Sequence, residues 1–145
     1  MRGTLFVLLT LLAPGTLGAQ AFAGSQADSG LQGVARRAAA AMAAQNPSDL
    51  ARGTSQLVIQ LPGVKPSGPV DRPQALALLR GFFQGADEVE TTVTGSRTVS
   101  ADRGVVELLR RYRTRGTQTV REQMILLGYR RNGGEWRLVE VRIEG

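Results

Sequence analysis

The sequence contains neither cysteine nor histidine. Without cysteine there is no disulfide framework, no thiol nucleophile, no thiolate zinc site and no attachment point for a bacterial lipid anchor. Without histidine there is no Ser-His-Asp triad, and the commonest metal ligand is gone. Lysine is nearly missing as well: Lys65 is the one lysine among 18 basic residues. No GxxxxGK[ST] phosphate loop occurs. On these grounds no metal and no cofactor are expected, and any enzyme activity would rest on carboxylates and hydroxyls.

What is present describes a globular protein. The chain has 145 residues, 42% hydrophobic and 21% charged, which is the length and composition of one domain with a real core. The net charge of +6 invites a polyanion as partner. The arginines, however, fall into two groups on the antiparallel strands drawn below. Arg110, Arg111, Arg113, Arg115 and Arg121 surround a hairpin tip at 114–118, while Arg97, Arg103, Arg130 and Arg131 belong to the opposite end. A nucleic-acid surface favours one contiguous basic stripe with stacking aromatics, so no nucleic-acid partner is expected. A genome that favours arginine codons, giving a mildly basic exported protein, is the simpler account of the charge.

Residues 1–23 read as an export signal: Arg2, an apolar run from Leu5 to Leu12, a Pro14-Gly15 break, and small residues for cleavage after Ala21 or Ala23. The run is shorter than the roughly 20 residues that a permanent span needs. An uncleaved N-terminal anchor is the alternative. The expectation is a periplasmic or secreted protein, with a flexible linker at 24–30 and one domain at 31–145.

Within that domain, Leu31, Val34, Ala35, Ala38 and Met42 recur at helical spacing through 31–45, and Asn46-Pro47 ends the helix. Ser48 is positioned to cap one further helical turn. Residues 55–61 are β-favouring, and the proline-bearing piece 64–70 is an edge at best. Asp71 as N-cap and Pro73 in the first turn open a second helix to Gln84 that presents Ala75, Leu76, Leu79, Phe82 and Phe83. Residues 88–100 alternate, with Val89, Thr91 and Val93 on one side and Gly95 marking a bulge. Strands at 104–114, 119–131 and 135–144 follow, separated by the turn signals Arg115-Gly116-Thr117-Gln118 and Asn132-Gly133-Gly134. The fold class is therefore α+β: an antiparallel sheet of four long strands and one or two short ones, covered by two to three helices.

This element order resembles the cone-shaped fold of the nuclear transport factor 2-like superfamily over residues 31–145. The stretches LVIQLPGVKPSGPVDRPQALALLRGFF (57–83) and ILLGYRRNGGEWRLVEVRIE (125–144) further resemble a family of small exported bacterial proteins classed as a domain of unknown function. The resemblance implies a strongly curved sheet with the two to three helices packed into its concave face and, as is common in the superfamily, a homodimer. Its isomerases work through pKa-tuned aspartates inside the cone. Here Asp28, Asp49, Asp71, Asp87 and Asp102 fall in linkers, caps and turns, so the catalytic aspartate has no position to be carried onto.

Strand glutamates remain: Glu88, Glu90, Glu107, Glu122, Glu135 and Glu140. Glu107 and Glu122 are expected across from each other or near Arg110, Arg121 and Arg137. A buried Glu–Arg pair could serve as a general base with its partner, or as a cross-strand ion pair. Alternation places Val106, Leu108, Arg110 and Tyr112 on one face. Arg110, Tyr112 and Trp136 are accordingly the candidate ligand-binding residues, suited to a small anionic or apolar ligand. The closing strands carry apolar residues facing both ways, which a sheet with one wet face would not need. A homodimer through Leu109, Ile125, Leu127 and Val139 is the expected cover, and a heterologous partner is the alternative. The function expected is an exported, non-enzymatic binding or interaction domain. The alternatives are a small isomerase- or hydrolase-like enzyme using a strand glutamate, and a structural envelope component with no pocket.

Overall fold

The structure, a computed structural model, describes residues 28–66 and 68–145. The expected export signal and most of the expected linker lie outside the described residues. At the linker's end, Ser29 and Gly30 already belong to the first helix, so the domain starts earlier than the residue-31 boundary.

The elements run α1 (Ser29–Ala43), α2 (Pro47–Leu50), β1 (Gln56–Gln60), β2 (Val70–Asp71), α3 (Arg72–Gln84), β3 (Ala86–Ser100), β4 (Arg103–Thr114), β5 (Val120–Asn132) and β6 (Glu135–Glu144). Caps fix the helix starts. Asp28 accepts from the backbone N–H groups of Gly30 and Leu31 at 2.8 and 3.3 Å. Asp71 accepts from the N–H of Gln74 at 2.9 Å, as its spacing to the helix suggests. The cap of α2 is Asn46, which accepts from the N–H of Asp49 at 3.2 Å, rather than Ser48. Pro47 takes the first helical position, which moves the cap one residue upstream of it.

The six strands form one curved sheet in the order β2-β1-β6-β5-β4-β3. It is mixed rather than wholly antiparallel, because β1 runs parallel to β6. This is the cone-shaped α+β arrangement. Its curvature comes from residues inserted on one strand only. β3 slips register against β4 between Glu88 and Glu90, between Val93 and Gly95 and between Thr98 and Ser100, and β5 slips against β6 at Gly128/Tyr129. Each bulge bends its strand and strengthens the twist. The β5–β6 hairpin turns on Gly133 and Gly134 at φ 59° and 82°, the positive values that a two-residue I′ turn needs.

The core lies between the concave face and the helices. Leu31, Met42, Leu79, Val106, Leu108, Ile125, Leu127, Leu138 and Val141 are among its fully enclosed members. The N-terminus of α1 sits directly on β4, so close that a Cβ at Gly104 would lie 2.9 Å from a methyl of Leu31. Ile125 and Leu127 are 0% exposed here, inside their own chain. That corrects their expected place on a dimer face. The run Met124-Ile125-Leu126-Leu127 is apolar at both parities, so alternation alone does not reveal which pair points inward. Leu109 and Val139 do lie on the outer face, with Val105, Met124 and Leu126.

Candidate functional site

Arg110 faces inward beside Val106 and Leu108, as alternation requires, and is 1% exposed. Its guanidinium is fully engaged. Nε donates to Glu88 Oε1 at 2.7 Å, Nη2 donates to the same oxygen, and Nη1 donates to Gln123 Oε1 at 3.1 Å. The Phe82 and Tyr112 rings sit against it, with centroids 4.4 and 4.5 Å from Cζ. Two desolvated cation–π contacts add to the ion pair. Arg110 and Tyr112 are therefore neighbours, but the arginine is spent on its own chain.

Glu88 reaches this position through the first β3 bulge. Its register partner is Tyr112 and that of Glu90 is Arg111, so Val89 is the unpaired residue between them. Glu88 points in and Val89 is exposed, which corrects the expectation that Val89 shares a face with Thr91 and Val93. Gln45 closes the cluster. It sits just past α1 with φ 51°, and its Nε2 donates to the Ala86 carbonyl at 2.8 Å and to Glu88 Oε1 at 3.4 Å. Nothing in the hydrophobic pattern singles out Gln45; the signal is its place immediately after the helix, where left-handed backbone is common.

Trp136 belongs to the opposite end, which corrects its grouping with Arg110 and Tyr112. It packs beneath the first turn of α1, with the Arg131 guanidinium 4.4 Å from its ring centroid. Arg131 Nη2 pairs with Asp28 Oδ2, while the other Asp28 oxygen caps α1. Trp136 Nε1 is buried without a hydrogen-bond partner. The two strand glutamates expected to face each other do not. Glu107 lies opposite Leu126 and pairs with Arg97 at 3.0 Å, and Glu122 lies opposite Arg111.

Between these ends, one side of α1 leaves the concave face uncovered. An open groove of about 910 Å³ runs between α1, the α2–β1 connection and the β5–β6 end of the sheet. Its helix wall is made of small residues, Ala38, Ala41 and Ala44 with Val34, and its sheet wall includes Tyr129, Trp136 and Leu138. Tyr129 is 4% exposed, and its hydroxyl makes no hydrogen bond among the described residues. Burial pushes the phenol pKa well above its ordinary 10.0, and the positive charge of Arg37 offsets this only in part. Tyr129 is therefore a neutral donor at physiological pH. Charged groups ring the opening: Arg52 pairs with Asp49 at 2.6 Å, and Arg137 lies 3.5 Å from Glu135 and donates to the Gly53 carbonyl at 2.9 Å. Arg37 has no carboxylate partner among the described residues.

A second, shallower groove of about 430 Å³ lies on the outer face, where Val58, Val105 and Val139 meet Arg103 and Arg130. Among the described residues, no cluster of carboxylates could hold a metal ion, and no helix is long and apolar enough to cross a membrane.

No protein-family model matches the chain, and no curated protein matches it. Solved structures do. A DUF4783 family protein from Bacteroides uniformis superposes with a TM-score of 0.61 at 14% identity, covering 75% of this chain and 94% of that one. A ketosteroid isomerase-like protein from Erwinia carotovora atroseptica gives 0.64 at 15% identity, covering 82% and 95%. A protein of unknown function from Mycobacterium tuberculosis gives 0.57 at 13% identity, covering 78% and 68%. At these identities the likeness is one of fold: the chain has the nuclear transport factor 2-like cone.

Proposed function

We propose that the protein is an exported, non-enzymatic binding domain that holds a small ligand in the groove beside α1, and that two copies pair through the outer face of the sheet. The observation that carries the binding reading is Tyr129, a residue 4% exposed that lines a groove of about 910 Å³ and whose hydroxyl has no hydrogen-bond partner among the described residues. That volume lies within the range of about 300–1,000 Å³ typical of small-molecule sites, and apolar walls with few polar groups are their usual lining. The catalytic alternative depends on a strand glutamate. The buried one, Glu88, is held by Arg110 and Gln45 and lines neither of these two grooves.

A thermal-shift screen tests the binding reading. Compounds that raise the Tm of the protein should leave Ala40→Trp unmoved, because Ala40 is an exposed residue on the groove wall and the indole would fill it. The reading fails if carboxylates, alcohols, amines and sugars all leave the Tm unchanged.

The pairing reading draws on Val105, Leu109, Met124 and Leu126, outward apolar residues set among balanced ion pairs such as Arg97–Glu107 and Arg142–Glu140. Each side chain buried in this way contributes about 1.5–3 kcal/mol. Sedimentation should show a dimer that Leu109→Arg dissociates, and a monomer at micromolar concentration contradicts it. For export, N-terminal sequencing of the secreted protein should begin at Phe22 or Gly24. Retention of Met1 would contradict cleavage.

A further inference from the structure

Building on the groove as the binding site, we infer that its ligand is a monoanion, a single carboxylate on an apolar body, received by Arg37 and the Tyr129 hydroxyl. The charges around the opening set the valence. Asp49 and Glu135 are each matched by an arginine, leaving Arg37 as the uncompensated charge of the groove among the described residues. One free positive charge accommodates one negative charge. A dianion would bring a second charge with no partner, and a cation would meet Arg37 repulsively.

Tyr129 supplies the second contact. Its hydroxyl is neutral, donates, and lacks an acceptor within the described residues. Both residues line the groove, Tyr129 from the sheet and Arg37 from α1. Its guanidinium lies back along α1 towards Gly33, with Nη1 3.7 Å from where a Cβ on that glycine would be. This leaves the helix wall clear.

The rest of the lining sets the body of the ligand. The side chains of Val34, Ala38, Ala41, Leu50 and Leu138 offer no hydrogen bond. A sugar phosphate or a peptide would lose its hydration there without replacement. The groove has room for a whole small molecule, so the ligand is a free amphiphile rather than the headgroup of a lipid that stays in its bilayer.

Calorimetric titration of the protein with dodecanoate and dodecyltrimethylammonium below their micelle concentrations, and with dodecan-1-ol below its solubility limit, tests this. Dodecanoate should bind, dodecanol about tenfold more weakly, the size of one lost charge-assisted hydrogen bond, and the ammonium not at all. Arg37→Gln should weaken dodecanoate by about tenfold and erase its advantage over the alcohol. Tyr129→Phe should weaken it by a smaller factor, and Ala40→Trp should abolish binding. If dodecanoate and dodecanol bind equally, Arg37→Gln changes nothing and Ala40→Trp still blocks both, the groove stands and the monoanion inference falls. If binding survives Ala40→Trp, the groove reading itself falls. Binding to phosphatidylglycerol vesicles with none to dodecanoate would overturn the free-amphiphile assignment.

Discussion

The Arg110 end of the concave face and the Tyr129 end are built from similar parts and use them in opposite ways. At the first, every nitrogen of Arg110 is held, by Glu88 Oε1 and Gln123, two aromatic rings pack against it, and Arg110 is 1% exposed; Glu88 Oε2 alone of that carboxylate is buried without a partner. At the second, Tyr129 and Arg37 line one groove, and among the described residues neither the hydroxyl nor the guanidinium has a side-chain partner. A polar group that has found its partners inside the fold contributes to uniqueness of structure. One that lines a groove without a protein partner is free to receive a ligand. Residue type alone does not separate the two cases: arginine and tyrosine occur at both ends.

The largest effect that would sharpen this contrast is at Glu88. Glu88→Ala leaves Arg110 charged and unpaired in the core and should cost about 3–5 kcal/mol in urea unfolding. The double change Glu88→Leu with Arg110→Met should recover most of that loss, because the buried charge goes with its partner. A small loss for the single change would mean that Arg110 finds water and that this end is open after all. Next is Gln45→Ala, which strips the Ala86 carbonyl of its side-chain donor and should cost about 1–3 kcal/mol.

A smaller effect distinguishes the Tyr129 end by pH. The folded pKa of Tyr129 lies above its unfolded value, so the folded state retains the proton longer than the unfolded chain does. The stability this represents is complete below about pH 10 and is lost as the pH climbs from there towards the folded value. Tyr129→Phe should flatten that alkaline decline in a pH series of denaturation curves, and an unchanged slope would place the phenol in water. Smallest of all, Arg37→Gln should leave stability within about 0.5 kcal/mol, since Arg37 is exposed and makes no ion pair among the described residues.

Much of the scaffold was legible from local chemistry. Asp71 and Pro73 marked the start of α3, Gly95 marked a bulge, Asn132-Gly133-Gly134 marked the last hairpin, and Arg110 was placed inward with Val106 and Leu108. The misreadings share one cause. Side-chain direction in a strand has period two, so a single inserted residue reverses it. The bulge at Val89 turned Glu88 inward and concealed the ion pair that closes one end of the cone. At 124–127 both parities were apolar, which hid the fact that Ile125 and Leu127 belong to the core. The parallel pairing of β1 with β6 and the open flank of α1 arise from long-range packing, for which no local residue pattern codes. Trp136 was singled out for its indole, yet its place under α1 depends on Gly30 and Gly104 allowing the helix to come close.

The central claim is that ligand enters beside α1 and not at Arg110. Amide chemical-shift mapping during titration with dodecanoate tests it directly. The account predicts perturbations concentrated at Arg37, Ala38, Ala41, Tyr129 and Leu138, with Phe82, Arg110 and Tyr112 unmoved. Perturbations centred on Phe82, Arg110 and Tyr112, with the α1 flank silent, would contradict it.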